Sequence, residues 1–233
     1  MISFKPYASG STGNLYTVSD GKTTVMLDCG LSWRKVRELL NFHTSEISGI
    51  CITHAHLDHA RGCKDAVKAG MDVYASESTF DQLGIYSHRS NHIEDGRQFR
   101  IGTWSIIPFA TIHDCDGSLG FLMANRENER FLYLTDTMYS PVKFPPLSVI
   151  AVECNNIDEL LIENVLNGHI PAIVGRRIRR NHMSLNTLIE LIKANDLSLC
   201  SKIYLLHLSD HNSNAEQMKL KVQSQTGIPT ETC

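Results

Sequence analysis

Two periodicities share this chain. Short runs that alternate or are continuously apolar predict strands at 2–7, 15–19, 23–28, Ile47-Ser-Gly-Ile-Cys-Ile52, 71–75, 99–101, 104–110, 118–124, 131–134, 147–152 and 203–206. Apolar residues spaced three and four apart predict helices over 33–42, 60–69, 77–83, 157–167, 184–194 and about 213–224. Trp33, Val36, Leu39 and Leu40 mark the first helix, while Leu185, Leu188, Ile189 and Ile192 mark the fifth, with Ser184 as its N-cap. Residues 84–96 lack either period and are expected to be a loop, with His88 and His92 exposed in a candidate lid. Strands and helices alternating in this way predict an α/β protein.

The residues at the strand ends are more informative than the strands themselves. Five apolar runs end in a polar group with metal-binding or acid-base chemistry, at His54, His113, Asp136, Glu153 and His207. The first run leads into Thr53-His-Ala-His-Leu-Asp-His59. His54 and His56 leave one side of extended chain, and a turn at the start of the next helix swings Asp58 and His59 back toward them. Neutral imidazoles with a carboxylate suit zinc or manganese. Four such groups in one loop exceed what one catalytic ion takes from protein, so two ions are expected.

Two further segments carry candidate chemistry. Ala8-Ser-Gly-Ser-Thr-Gly-Asn14 is a glycine and hydroxyl loop that could turn N–H groups toward an anion, with Ser11 as a candidate substrate contact, but it lacks the lysine of a P-loop. Gly175-Arg-Arg-Ile-Arg-Arg-Asn181 is the only basic cluster and runs straight into His182. On a helix, Arg176, Arg177 and Arg180 would share a face and Arg179 would point partly away.

Composition narrows the class. At 233 residues, 42% hydrophobic and 20% charged, the chain has the size and make-up of one globular domain, 1–233. A net charge of −3 supplies no general field for polyanions, so a nucleic acid would have to be held locally. Seven cysteines, odd in number and without Cys-x-x-Cys pairs, are expected to be reduced in a cytoplasmic protein. No signal-like or membrane-spanning apolar stretch is present. A homodimer is left open.

His54, His56, Asp58 and His59 match the signature of the metallo-β-lactamase fold, and the chain resembles that superfamily, in order, over nearly its whole length. The resemblance implies a four-layer αββα sandwich. It also implies two divalent ions, Zn²⁺ or Mn²⁺: His54, His56 and His113 on one, Asp58, His59 and His207 on the other, with Asp136 shared. Within the superfamily, Glu153-Cys-Asn-Asn156 and Asn181-His-Met-Ser184 resemble elements of ribonuclease Z and its relatives, with Asn181 where those have glycine. This implies a metal-activated bridging water as nucleophile and His182, oriented by Glu153, as proton donor, with Asp58, Glu153 and His182 as the catalytic set. The Ser-Gly-Ser-Thr-Gly-Asn loop, His-Asp-Cys, Thr-Asp-Thr and Glu-Cys-Asn-Asn are similar to single-domain YycJ-like exonucleases and to phage phosphodiesterases acting on cyclic mononucleotides. The expected function is therefore a phosphodiesterase acting on nucleic acid, most simply a DNA exonuclease. The alternatives are a cyclic mononucleotide phosphodiesterase and, further off, a thioester or glyoxalase-type hydrolase, which would leave Glu153 and His182 without a task.

Overall fold

The computed structural model describes residues 1–233. Six strands, β1 (Ser3–Ala8), β2 (Leu15–Ser19), β3 (Thr24–Leu27), β4 (Ile47–Cys51), β5 (Val73–Ala75) and β6 (Ser90–His92), form one sheet in chain order. Seven more form a second: β7 (Phe99–Ile101), β8 (Trp104–Ala110), β9 (Leu119–Ala124), β10 (Arg130–Leu134), β11 (Val149–Glu153), β12 (Lys202–Leu206) and β13 (Thr230–Thr232), in the order β13-β12-β11-β10-β9-β8-β7. Both sheets are mixed. Hairpins make their antiparallel parts, and β3 to β6 and β10 to β13 run parallel, joined by helical crossovers except between β10 and β11, where residues 135–148 contain no helix.

The chain divides into two compact units, Met1–Ala110 with Cys115–Glu129, and Thr111–Asp114 with Arg130–Cys233. In the first, helices α1 (Trp33–Leu39), α3 (Cys63–Lys68) and α4 (Glu77–Leu83) bury Trp33, Val36, Cys63, Ala66 and Phe80 against Leu15, Met26, Ile50, Ile52 and Val73 of the six-stranded sheet. The short helix α2 (Leu57–Ala60) precedes α3. In the second unit, α7 (Leu185–Lys193) lays Leu188 and Ile192 over Leu132, Ile150 and Val152, leaving a gap of only about 10 Å³. Helices α5 (Asp158–Leu166), α6 (Ala172–Asn181) and α8 (Ala215–Thr226) complete that unit. Side-chain caps start four helices, Ser32, Ser76, Ser184 and Asn214 each accepting an N–H three residues on.

Two expectations need correction. The helix expected over 60–69 is broken at Gly62, whose N–H donates to the Cys29 carbonyl at 2.8 Å and where a Cβ would lie 2.4 Å from the Leu31 carbonyl oxygen. That approach ends α2 and starts α3. The loop expected over 84–96 contains the edge strand β6, paired in parallel with β5; His88 and His92 are exposed as expected, with the His92 ring 5.2 Å from that of Phe80. The basic cluster 175–181 lies on the helix α6, the form in which its spacing is read.

Candidate active site

In open parallel sheets, polar chemistry collects where strands end and helices begin. Both units obey this rule. In the first, β3 leads into Asp28 and β4 into His54. In the second, Leu134 of β10, Val152 of β11 and Leu205 of β12 stand level in register, so Asp136, Glu153 and His207 leave the same end of the sheet. Asp28, Asp136 and His207 each take a left-handed backbone conformation, with φ of 58°, 47° and 53°. Such residues cost on the order of 1–3 kcal/mol each and persist where a site holds them.

The first unit fixes its histidines through one carboxylate. Asp28 is fully buried; Oδ1 accepts the Thr53 N–H and hydroxyl, both at 2.9 Å, and Oδ2 lies 2.8 Å from His59 Nδ1. The Thr53 hydroxyl donates its hydrogen bond to Asp28, so at 3.0 Å its oxygen accepts from His54 Nδ1–H. One buried carboxylate thus sets both tautomers and puts a lone pair, not a proton, on Nε2 of His54 and of His59, as orienting groups behind metal ligands do. His54 Nε2 lies 3.1 Å from His56 Nδ1, and His59 Nε2 lies 3.4 Å from Asp58 Oδ2. Imidazole nitrogens brought this close, two of them as lone pairs, are a donor set suited to a cation.

Backbone contacts hold that loop in place. Asn14 N–H donates to the Asp58 carbonyl at 2.7 Å, Cys29 N–H to the His59 carbonyl at 2.7 Å, and Gly30 N–H to the Asn14 carbonyl at 2.9 Å. A Cβ on Gly30 would sit 1.7 Å from the Asp58 carbonyl oxygen, so only glycine fits. The glycine and hydroxyl loop therefore serves the site through Asn14, whose Nδ2 also lies 3.0 Å from His59 Nε2. Ser11 is exposed in its turn. Sequence reasoning gave Asn14, Asp28 and Thr53 no role. Their signal was a run of polar residues placed directly after apolar strands.

The second unit is built around Asp136 and Glu153. His113 Nε2 lies 3.7 Å from Asp136 Oδ2, and His207 Nε2 lies 3.6 Å from Asp136 Oδ1. His113 Nδ1 donates to the Asn181 carbonyl at 3.2 Å, which turns its Nε2 lone pair toward Asp136. Burial holds the His113 pKa below its ordinary value, so the ring is neutral and able to ligate at neutral pH. Asn155 Nδ2 donates to the His207 carbonyl at 2.9 Å and braces its strained backbone.

Glu153 is differently placed. Its Oε2 accepts the N–H groups of Thr137 and Met183, both at 3.1 Å, and its Oε1 lies 2.6 Å from His182 Nδ1. Both oxygens are thus committed to protein. His182 keeps 20% of its side chain exposed, against 4% for His207 and 3% for Asp136, so it is the ring that can meet a substrate. The two rings stack at 5.4 Å and 15°.

Within the second unit, Asp136, Glu153, His182 and His207 have ligand atoms within 4.8 Å of one another. The donor set of imidazoles and carboxylates fits divalent metal binding. The basic cluster is more dispersed than its spacing suggested. Arg177 Nε donates to Asp114 Oδ2 at 3.0 Å, next to His113, while Arg176 and Arg179 line a shallow groove against Ile162, Val165 and Leu166 of α5. Arg180 is exposed at the C-terminal end of α6.

Comparison with known proteins gives these residues a context. The family model described as "Beta-lactamase superfamily domain" matches residues 23–207. The exodeoxyribonuclease WalJ of Streptococcus pneumoniae is 30% identical over 94% of this chain and 86% of its own length. The exodeoxyribonuclease YycJ of Bacillus anthracis is 28% identical over 95% of this chain and 88% of its own. Among solved structures, the metallo-beta-lactamase fold protein YhfI of Bacillus subtilis superposes with a TM-score of 0.74 at 13% identity, covering 100% of this chain and 96% of that one. The short form of human tRNase Z superposes with a TM-score of 0.65 at 12% identity, covering 100% and 96%. These likenesses show the fold, the αββα sandwich.

Proposed function

The chain belongs to the beta-lactamase superfamily, and from that premise we propose that it is a two-metal phosphodiesterase acting on DNA, an exodeoxyribonuclease. The whole chain, 1–233, would act as one catalytic domain. The observation that carries the reading is the Glu153–His182 contact of 2.6 Å beside Asp136, a proton donor held ready next to a donor set for cations. A thioester hydrolase has no use for that pair. The names of the WalJ and YycJ relatives support DNA as substrate.

We assign one ion to His54, His56, His113 and Asp136, and a second to Asp58, His59, His207 and Asp136; Zn²⁺ and Mn²⁺ suit these donors. Bound there, the ions would supply an activated water and neutralise charge on the phosphate. The chain's own residues supply the rest. Asp28 and Thr53 keep the ligating nitrogens free of protons, and His182 gives its proton to the leaving alkoxide. Glu153 orients that ring, while Arg177 and Arg180, with Ser11 in its turn, are assigned to backbone phosphates. Arg176, which lines the α5 groove, is assigned a weaker contact. No disulfide links any of the seven cysteines, which supports the cytoplasm as the compartment, and no helix is long and apolar enough to cross a membrane.

The test offers single- and double-stranded DNA, RNA and 3′,5′-cyclic mononucleotides with Mn²⁺ or Zn²⁺, and repeats the active one across a salt series. DNA should be degraded from an end, with a steep loss of affinity as salt rises. Hydrolysis confined to cyclic mononucleotides would overturn the reading.

A further inference from the structure

A groove of about 460 Å³ opens in the second unit between the segment after Asp136 and helix α7. One wall is Met138 to Lys143; the other is Thr187, Glu190, Leu191, Ala194 and Asn195. Neither the metal ligands nor the proton donor occupies it. Its volume falls within the roughly 300–1,000 Å³ of small-ligand sites.

The groove is rooted in the catalytic pair. Glu153 Oε2 accepts the N–H of Thr137, one residue before the first wall, and the N–H of Met183, which leads through the Ser184 cap into the second. The Thr137 hydroxyl donates to the Tyr139 carbonyl at 2.8 Å, fixing the backbone of the first wall. The carboxylate that holds His182 therefore also sets the spacing of both walls. At the far end Asn195 closes the groove: Oδ1 accepts the Phe144 N–H and Nδ2 donates to the Leu191 carbonyl, both at 2.8 Å. Pro141, Pro145 and Pro146 stiffen the intervening segment. A groove fixed at both ends is preformed.

Its chemistry selects a flat, uncharged occupant. Tyr139 is 42% exposed, and Met138, Pro141, Val142 and Leu191 add apolar surface. Lys143 and Glu190 bring one charge of each sign, so the groove has no net attraction for phosphate. Asn195, the amide best suited to reading a base edge, is consumed in closing the end. The Ser140 and Thr187 hydroxyls are engaged with the Val142 N–H and Ser184, so beside one charge of each sign the groove offers the Tyr139 ring face, on which every base can stack.

Resting on the nuclease reading, we propose that this groove receives the nucleobase on the leaving-group side of the bond being cut, stacked on Tyr139. His182 donates to the leaving oxygen, so the nucleoside bearing that oxygen lies on the His182 side, the side from which Glu153 holds the start of both walls. With no base edge read, the site should accept all four bases.

The experiment pairs a protein change with a substrate change. Tyr139→Ala and Tyr139→Phe are assayed on single-stranded oligonucleotides that are intact or carry one abasic tetrahydrofuran residue, placed singly at the terminal and penultimate positions of either end. In the wild type, one such placement should lower kcat/KM by about 5- to 150-fold, the range that base–aromatic stacking supplies, mostly through KM. Tyr139→Ala should lose a similar factor on intact DNA and less than about twofold on the sensitive abasic substrate, and Tyr139→Phe should restore the wild-type rate on intact DNA. Equal losses for Tyr139→Ala on intact and abasic DNA would overturn the groove assignment and leave the nuclease reading standing. A wild-type protein that cuts no oligonucleotide at all would remove the nuclease reading, and the groove assignment with it.

Discussion

Replacing Glu153 separates orientation of the proton donor from folding, because its two oxygens do different work. Oε2 holds two backbone N–H groups and Oε1 holds His182. Glu153→Ala leaves the Thr137 and Met183 N–H groups buried without acceptors, at about 1–3 kcal/mol each, against a total stability of about 5–15 kcal/mol. That variant tests folding. Glu153→Gln is the informative change: its carbonyl can still accept both N–H groups, while its amide now faces His182 Nδ1. A hydrogen bond to a charged group, worth about 1.5–3 kcal/mol, becomes a neutral one worth about 0.5–1.5. The loss of roughly 1–1.5 kcal/mol corresponds to about 5- to 15-fold in rate, below the 10²- to 10⁴-fold expected for deleting the donor in His182→Ala. Metal content should not change in either. Because Glu153 acts through His182, the double variant should be no slower than His182→Ala alone. Both deficits should shrink on an activated aryl phosphodiester, whose leaving group needs no proton. If the two deficits multiply in the double variant, or if activated and natural diesters are slowed equally, the orienting role is wrong.

The same contacts set the outcome of other changes. Asp28→Asn places an amide against His59 Nδ1, which moves the ring's proton to Nε2, the nitrogen needed for metal; affinity should fall about 10- to 100-fold in a chelator competition, and unchanged affinity would refute the tautomer argument. Gly30→Ala should lower the melting temperature by roughly 4–12 °C, since an overpacked backbone contact costs about 2–3 kcal/mol, measured by calorimetry; an unchanged melting temperature would show that the loop can move aside. Cys29, Cys51, Cys63, Cys115 and Cys154 are buried, and burial pushes the Cys63 thiol up to about 12. A thiol reagent should therefore reach at most Cys200 and Cys233 before denaturation and all seven afterwards. Because these buried thiols stay neutral in the fold and ionise once unfolded, stability should fall as pH rises above about 9, the ordinary thiol value, toward 12.

How far the sequence speaks for the structure depends on how local each cause is. His54, His56, Asp58 and His59 were legible because their spacing and the preceding apolar strand are both local. Asp136, Glu153 and His207 were legible because each ends an apolar run. The strands β6 and β13 were not, since Ser-Asn-His and Thr-Glu-Thr carry no apolar pattern and owe their form to a neighbouring strand. The break at Gly62 depends on a carbonyl 31 residues back in the chain. The arginines show the same limit. Helical spacing groups Arg176, Arg177 and Arg180, but it does not reveal that Arg177 meets Asp114, 63 residues away, or that Arg176 turns to α5. Asp28 and Asn14 serve histidines that lie 31 and 45 residues further on, so their roles emerge only from the fold.

The central claim is that seven side chains hold two ions with Asp136 between them. Metal content per chain, measured by mass spectrometry on protein purified without chelators, tests it most directly when wild type and Asp136→Ala are compared. The account predicts close to two divalent ions in the wild type and a loss at both positions in the variant; one ion per chain in the wild type, or undiminished metal in Asp136→Ala, would contradict it.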